Sequence, residues 1–317
     1  MCLIKMTFLC SVLHLLVDGF CVCCLYLMAA SLPTTHLVGI FLTYNILAFL
    51  TQPLTGLWAD KMERRHWMLL ASVLLLTMAV LATSLVISFG LSAIGVMMVA
   101  FLLGTGNSLF HVWGGKQVAV TTGNDMRALG AFVATGAFGL SLGVVFFSWP
   151  LLYAALLSIC VLSTAYVHLD VKCISNNHNQ ETERRFSWIF IWVSLLALML
   201  VVMLRSHVSE TFTGEIPKSN SIVLLIGFLS MSGKMAGGWI ARQLGIVRML
   251  VLVVLVVAVC MVFRDHGLVI LLVGLFAVNT TMPVTLYLAN VVLPKREGLA
   301  FGLLAAVLIP GYLLAVL

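Results

Sequence analysis

The sequence predicts an all-α polytopic membrane protein. Some 62% of its 317 residues are hydrophobic, only 9% are charged, and the mean hydropathy is +1.16. A soluble protein needs more charged residues than this to cover its surface. The apolar residues also form about eleven runs near the roughly 20 residues that a helix needs to cross a bilayer. Because a helix satisfies its backbone hydrogen bonds internally, we expect each run to be a transmembrane helix.

The runs fall into two groups separated by a polar stretch. The predicted spans are 6–30, 35–58, 67–88, 91–113, 127–147, 150–169, 187–205, 220–242, 247–263, 267–291 and 298–317. Residues 170–186 are rich in Asn, Gln and charged residues, which is typical of a flexible linker. The domain prediction is therefore an N-terminal six-helix bundle, residues 1–169, a linker, 170–186, and a C-terminal bundle of about five helices, residues 187–317.

The distribution of Lys and Arg predicts the orientation. If the N-terminus is cytoplasmic, the outer face receives only Arg205, Lys218 and Arg264, while Lys234 falls within the eighth run. The inner face then receives Lys5, Lys61, Arg64, Arg65, Lys116, Arg127, Lys172, Arg184, Arg185, Arg242, Arg248, Lys295 and Arg296. An excess of Lys and Arg marks the cytoplasmic side, so we expect a cytoplasmic linker and an external segment at 210–218. Because the net charge of +6 is spread over the loops in this way, it does not indicate nucleic-acid binding.

A short charged segment follows the second run. Gly56, Asp60, Lys61, Arg64 and Arg65 lie in the order Gly, three residues, Asp, base, two residues, two bases. Bulk lipid does not tolerate such a cluster, so it lies at the membrane surface, either as an ordinary cytoplasmic loop or as a functional motif. The order of residues resembles the motif between helices 2 and 3 of the major facilitator superfamily of transporters. The resemblance implies two helical bundles of the major facilitator type and assigns these five residues to a gating motif.

A degenerate second copy of the motif supports this resemblance. Gly238 and the tryptophan after it stand at the end of the eighth run much as Gly56 stands at the end of the second, but Arg242 replaces Asp60. Duplicated bundles are a feature of transporters of this kind. The resemblance further implies that Asp60 reaches the start of helix 11, near residues 295–298, and helps to hold the inner gate shut. Relatives commonly have twelve helices, so we expect the twelfth to be missing from this chain.

Several residues of the first 145 narrow the resemblance to the fosmidomycin-resistance-like branch of the superfamily. Those that carry it are His14, Asp18, 52–54, 104–111 and 127–130. Relatives in that branch follow the Phe-His pair with Pro-Glu, whereas this chain continues with Val112 and Trp113. A membrane-embedded Glu is a natural proton carrier, so its absence leaves proton coupling to other groups.

Proton coupling is assigned to Asp18, His14 and His111. His14 and Asp18 are four residues apart and share one helical face. Ionisable residues within a span are costly, so they face the bundle interior or a water-filled cavity. Asp18 is the one acid well within a predicted run, which favours it as the protonation site with His14 as its partner. The alternatives are that the pair only fixes helix packing and that His111 lies near the inner surface.

Polar residues of the C-terminal half are candidates for the substrate cavity. Asn279, Pro283 and Tyr287 recur every four residues, so Asn279 and Tyr287 are expected on one cavity-lining face, and Pro283 predicts a kink. Lys234 is either a cavity cation that attracts an anionic substrate or a side chain that snorkels to the membrane surface. Most of the eight cysteines lie inside apolar runs, so neither a disulfide framework nor a metal site is predicted.

These observations predict a secondary active transporter. The sequence contains no ATP-binding motif, and the resemblance implies proton-coupled efflux of a small organic solute or drug by alternating access. The predicted partners are this solute, protons and the lipid bilayer, without a cofactor or nucleic acid, and a monomer is compatible with the sequence. The predicted location is the bacterial inner (plasma) membrane, with many membrane passes. Two alternatives stay open, a non-transporting or truncated relative and a membrane-embedded receptor or enzyme, although no nucleophile–base pair or extramembrane domain is visible.

Overall fold

Long apolar helices account for the described chain. The computed structural model describes residues 2–31, 34–62, 66–89, 93–173 and 186–316, and these form helices and short connections without a strand. The first seven helices are α1 (Cys2–Ser31), α2 (Thr34–Asn45), α3 (Gln52–Lys61), α4 (Trp67–Phe89), α5 (Ala93–Thr121), α6 (Met126–Val145) and α7 (Trp149–Cys173). The other seven are α8 (Trp188–Glu215), α9 (Asn220–Leu244), α10 (Ile246–Val262), α11 (Leu268–Asn279), α12 (Met282–Val292), α13 (Glu297–Ala306) and α14 (Leu308–Val316).

The helices have the lengths that a membrane requires. Within the described ranges, ten helical stretches are long and apolar enough to cross a bilayer. Three of these stretches each combine two helices: α2 with α3, α11 with α12, and α13 with α14. The remaining apolar helix, α10, has 17 residues. The prediction of an all-α polytopic membrane protein is confirmed.

Two helices extend beyond their predicted ends. The sequence predicts that the fourth and seventh spans end at residues 113 and 205, but α5 continues to Thr121 and α8 to Glu215. Hydroxyl side chains near both ends bond back to the helix, which lets polar residues continue it: Thr213 Oγ1 donates 3.0 Å to a backbone carbonyl one turn earlier. The assignment of Arg205 to the outer face is therefore wrong, since Arg205 lies inside α8 and is only 7% exposed. Glu210 likewise lies in α8 and not in an external loop.

Two of the three interrupted spans show a specific local feature at the interruption. A π-helical turn, Ile46–Leu50, joins α2 to α3, and Gln52 Nε2 donates 2.7 Å to the carbonyl of Ala48 within it. The second interruption separates α11 from α12, directly before Pro283. Proline has no backbone N–H and clashes with the preceding turn, so it breaks a continuous helix. The kink predicted at Pro283 is thus present as a break.

Several helix pairs connect the halves of the chain, and two of them make the most extensive contacts. Within the N-terminal half, α1 packs along α6 and α4 along α5; between the halves, α6 packs on α9 and α3 on α13. These pairs place α1, α5 and α6 around a buried centre that includes Phe110, Trp113 and Phe132. The predicted linker lies mostly outside the described residues, so the domain boundaries at 169 and 187 stay a prediction.

Candidate functional site

Three ionisable side chains meet in the N-terminal half. His14 and Asp18 lie one turn apart near the middle of α1, and His111 lies on α5. All three residues are buried. Asp18 Oδ2 is 3.3 Å from His14 Nε2, Asp18 Oδ1 is 3.3 Å from His111 Nε2, and the two Nε2 atoms are 2.8 Å apart. The structure therefore brings together the three residues assigned to proton coupling, and His111 does not lie at the surface.

Backbone carbonyls fix the orientation of both imidazole rings. His14 Nδ1 donates to the carbonyl of Phe132 at 2.7 Å, and His111 Nδ1 donates to that of Asn107 at 3.0 Å. A carbonyl oxygen can only accept, so both Nδ1 atoms carry hydrogen. In a neutral imidazole the Nε2 atom is then a lone-pair acceptor. Two such atoms would repel at 2.8 Å, so the contact between them requires a proton.

The cluster is therefore suited to bind and release one proton. With one imidazolium and an ionised Asp18, the three side chains together carry no net charge. Loss of the proton leaves a buried carboxylate facing two lone pairs, which is costly in a water-poor setting. The same three donor atoms lie within 4.8 Å of one another, a spacing that a metal ion would also accept. A shared proton is sufficient to account for the short contact between the two rings.

Asn107 belongs to this site and was not assigned from the sequence. Its Nδ2 donates to Asp18 Oδ1 at 3.1 Å, and the residue is 1% exposed. Asn107 precedes His111 by one helical turn, so the two share a face of α5. That four-residue spacing of a polar pair within an apolar helix is the signal that could have identified it.

Trp113 occupies the position where relatives in the fosmidomycin-resistance-like branch have a Glu. Its ring is buried and packs edge-on against Tyr166 of α7, with ring centroids 4.9 Å apart. The position thus contributes to packing in this chain.

Asp60 connects the two halves of the chain. Its carboxylate accepts the backbone N–H groups of Gly298 at 2.9 Å and Leu299 at 2.8 Å, at the start of α13. Lys116 Nζ lies 3.4 Å from Asp60 Oδ1 and donates to the carbonyl of Ala59 at 2.7 Å. An anion at a helix N-terminus is stabilised by the unpaired N–H groups and the helix dipole. The resemblance to major facilitator transporters implies such a contact, between Asp60 and the helix that starts near residues 295–298.

The other residues of the gating motif divide into three kinds. Gly56 lies directly against the backbone of Gly298, and a Cβ on Gly56 would overlap the Gly298 carbonyl. Lys61 is exposed at the end of α3. Arg64 and Arg65 lie outside the described residues. Gly56 and Asp60 thus form the part of the motif that joins α3 to α13.

The second copy of the motif makes a related contact with its charges rearranged. Gly238 of α9 lies against the backbone of Met126 at the start of α6. The acid here belongs to α6 itself, because Asp125 caps the helix by accepting the backbone N–H of Arg127 at 2.9 Å. The Arg127 guanidinium, with a weaker contribution from Arg242, holds the pKa of Asp125 below its usual value. The arginine that replaces the motif acid in this copy therefore lies near a carboxylate contributed by the partner helix.

Lys234 lies near the middle of the 25-residue helix α9. At 1.5 Å per residue, its Cα is at least about 15 Å from either helix end, which is beyond the reach of a snorkelling lysine. Its electrostatic neighbours are Arg205 and Asp18. Lys234 therefore belongs to the interior of the molecule.

Asn279 and Tyr287 do not share one continuous face, because the helix breaks between them. Asn279 Nδ2 donates to the carbonyl of Leu275 at 2.8 Å, and its Cβ packs near Gly233 of α9. The backbone of Tyr287 accepts a hydrogen bond from Asn124 at 3.1 Å, in the connection between α5 and α6. Asn279 thus lies beside Lys234 along α9, while Tyr287 lies toward the end of the bundle.

Comparisons with known proteins agree with this architecture. The sequence family described as Major Facilitator Superfamily matches residues 7–315. The solved structure of the transporter FucP in the outward conformation has a TM-score of 0.68 at 15% identity, covering 98% of this chain and 90% of that one. A point variant of the E. coli fucose:proton symporter FucP has a TM-score of 0.63 at 14% identity, with coverages of 98% and 90%. The human organic anion transporter MFSD10 (TETRAN) has a TM-score of 0.64 at 16% identity, covering 98% and 92%. None of the curated proteins matches the chain.

Proposed function

Because the chain belongs to the major facilitator superfamily of secondary transporters, we propose that it couples the movement of a small organic solute to protons by alternating access. The observation that carries this proposal is the 2.8 Å contact between His14 Nε2 and His111 Nε2 beside Asp18. That contact holds a proton at the middle of the membrane-spanning helices. A proton carried at this depth crosses the membrane when the site opens alternately to each side.

The helix pairs that connect the halves supply the gate of this mechanism. At one end of the molecule, Asp60 holds α3 against the start of α13. Opening that end separates the Asp60 carboxylate from two backbone N–H groups, and closing restores both hydrogen bonds. The other pair, α6 with α9, carries the second copy of the motif at the same end of the molecule. Substrate and proton reach the central site from that end only when these contacts part.

Export in exchange for protons is the first candidate for the direction of coupling. The resemblance of the first 145 residues to the fosmidomycin-resistance-like branch supports it, with a drug or another small organic solute as substrate. In this form, the solute and the proton compete for the central site.

Symport is the second candidate, and the charge of the central site favours it. Lys234 adds a positive charge near the cluster and Arg205 adds another near Lys234, so these groups together sum to a positive charge whether or not the cluster is protonated. A solute with a negative group would then bind better when the proton is present. The structural neighbour FucP is named as a fucose:proton symporter.

We also propose a cytoplasmic N-terminus, a location in the bacterial inner membrane and a monomeric unit of two bundles, residues 1–169 and 187–317. The positive-inside bias supports the orientation. With Arg205 inside α8, the outer face keeps only Lys218 and Arg264, which strengthens that bias. The Asp60 contact then lies on the cytoplasmic side.

The proposal is tested in sealed proteoliposomes with an imposed pH gradient. A pH-sensitive dye inside the vesicles reports proton movement when sugars, organic acids or lipophilic cations are added outside. The wild-type chain should move protons with at least one of these solutes. Asp18→Asn removes the carboxylate that neutralises the shared proton, so it should abolish pH-driven solute flux while keeping exchange at equal pH. Asp265→Asn, in an exposed loop position, is the matched control and should behave as wild type.

Two outcomes would contradict the proposal. If Asp18→Asn still couples flux to the pH gradient at the wild-type rate, Asp18 serves packing alone. If no solute moves protons through the wild-type chain, the chain is a non-transporting relative. The sign of proton movement for a transported solute decides between export and symport.

A further inference from the structure

Two cations of the C-terminal half lie near each other, and one of them, Lys234, also lies near the proton-binding cluster. Arg205 is buried within the 28-residue helix α8, and Lys234 lies near the middle of α9. Lys234 interacts electrostatically with Arg205 and with Asp18, and also with His111. The two positive side chains and the cluster therefore share one region at the centre of the molecule, with the cations contributed by one half and the cluster by the other.

The start of α12 locates both cations more closely. Arg205 Nη1 contacts the sulfur of Met282, the first residue of α12. The next residue, Pro283, lies against Gly130 of α6, and so does the carbonyl of Lys234: a Cβ on Gly130 would be 3.4 Å from Pro283 Cβ and 2.8 Å from Lys234 O. The Arg205 side chain thus contacts the first residue after the break between α11 and α12, and the backbone of Lys234 lies beside the glycine that borders the next residue, Pro283.

Neither cation pairs with a carboxylate in the part of the chain that the structure describes. The contact of Arg205 is with a thioether sulfur, which is a weak acceptor and leaves the planar fork of guanidinium donors largely unused. The acid nearest to Arg205 in sequence, Glu210, accepts a hydrogen bond from Thr213 Oγ1 at 3.3 Å and interacts with Lys218. The charge of Asp18 is balanced by the proton of the two histidines. A positive charge is therefore left over at the centre, and buried cations without partners are costly.

We propose that Arg205 and Lys234 form a binding subsite for an anionic group, a carboxylate, phosphate, phosphonate or sulfate, on the transported solute. Arg binds such planar or tetrahedral oxyanions through two parallel N–H bonds, and Lys adds a point charge. The inference rests on the proposed transport function, because the bound anion is taken to be the solute.

Binding of matched aromatic probes to the purified full chain in detergent tests the subsite. Benzoate, phenylphosphonate and phenyl sulfate carry an anion on one ring, benzamide is uncharged, and benzylamine is a cation. At constant ionic strength, at least one anion should raise the thermal unfolding temperature at millimolar concentration, whereas benzamide and benzylamine should not. Arg205→Gln and Lys234→Gln should each weaken that anion's binding at least about thirtyfold, as expected for loss of one partner of a buried charge pair.

Two cations outside the central region supply the matched controls. Arg264→Gln and Lys218→Gln remove the same charges outside the central region and should keep the anion effect of the wild type. The stability of the empty protein separates a binding role from a structural one. Without a probe, Arg205→Gln and Lys234→Gln should unfold at or above the wild-type temperature, because each substitution removes repulsion between the buried Arg205 and the half-buried Lys234.

Three results would overturn the inference: no stabilisation by any anion of the panel, equal stabilisation by benzamide or benzylamine, or an unchanged anion effect in both central variants. A lower unfolding temperature of both empty variants would also overturn it, by showing that the cations support the fold. Because these measurements use no gradient, their failure leaves proton coupling at Asp18 untouched. Loss of proton coupling in the liposome assay would likewise leave the anion subsite standing.

Discussion

Replacing Asp60 by Asn should weaken the contact between α3 and α13. The carboxylate accepts two backbone N–H groups, from Gly298 and Leu299, at 2.9 and 2.8 Å. A hydrogen bond to a charged acceptor contributes about 1.5–3 kcal/mol, against about 0.5–1.5 kcal/mol for a neutral one. Asn keeps one neutral oxygen acceptor and loses the second bond together with the attraction to the helix dipole. The substitution should therefore cost the closed form about 2–3 kcal/mol, which is about a 30–150-fold rise in the ratio of open to closed molecules.

Spin labels on exposed residues beside this contact measure that ratio. Lys61→Cys and Arg296→Cys, in a background without the native cysteines, place one label on each half of the chain. The long-distance fraction should rise from a minor to a major population in Asp60→Asn. Asp265→Asn, an exposed acid away from the contact, should leave the distribution unchanged. An unchanged distribution in Asp60→Asn would refute the view that this carboxylate holds the halves together.

Three further predictions concern other parts of the molecule. Gly136→Ala places a Cβ against the proton-binding cluster and should slow pH-driven transport about 10–100-fold, since displacing a reacting group by about 1 Å has such effects. Gly214→Ala, where the added Cβ meets open space, should leave the transport rate unchanged. Equal transport rates in the two variants would refute the steric argument. Single cysteines at Asn177 and Lys218 should react with an impermeant thiol reagent from opposite sides of the membrane, and reaction from the same side would overturn the orientation. Arg127 lowers the pKa of Asp125 in the folded state. The stability that the carboxylate contributes is therefore fully present when the pH is above the pKa of Asp125 in the unfolded state, and it is lost as the pH falls through the lower pKa of the folded state. The difference in unfolding temperature between wild type and Asp125→Asn should accordingly shrink between about pH 6 and pH 3, whereas a constant difference would contradict this linkage.

The sequence predicts the spans well because membrane helices are recognised by length and hydropathy alone. The same criterion fails at Arg205, where hydropathy falls but the helix continues, since bundle interiors accept polar residues that lipid does not. The pairing of His14 with Asp18 follows from their spacing on one helix. Their contact with His111 does not, because it joins residues of two helices, with His14 and His111 97 positions apart in the chain, and depends on packing.

The contacts between the halves are predictable only in part. The Asp60 contact followed from a resemblance and not from the residues themselves, because no local pattern shows which helix end an acid reaches. The proximity of Lys234 to Arg205 could not be derived at all, since it depends on how α8 and α9 meet α12. Short-range periodicity thus identifies candidate side chains, while their partners are decided by tertiary structure.

The π-helical turn Ile46–Leu50 determines which way α3 faces. A turn with i to i+5 bonds accommodates one residue more than an α-helical turn, and each residue corresponds to about 100° of rotation about the helix axis. If one residue of this turn were deleted, the turn would have the residue count of an α-helical turn, and Gly56 and Asp60 would rotate by about 100° about the helix axis, away from α13. Hydropathy and the motif itself would be unchanged by that deletion. Two chains with the same hydropathy pattern and the same motif would then differ in whether α3 can contact α13. The difference would arise from one inserted residue, about ten residues before Asp60.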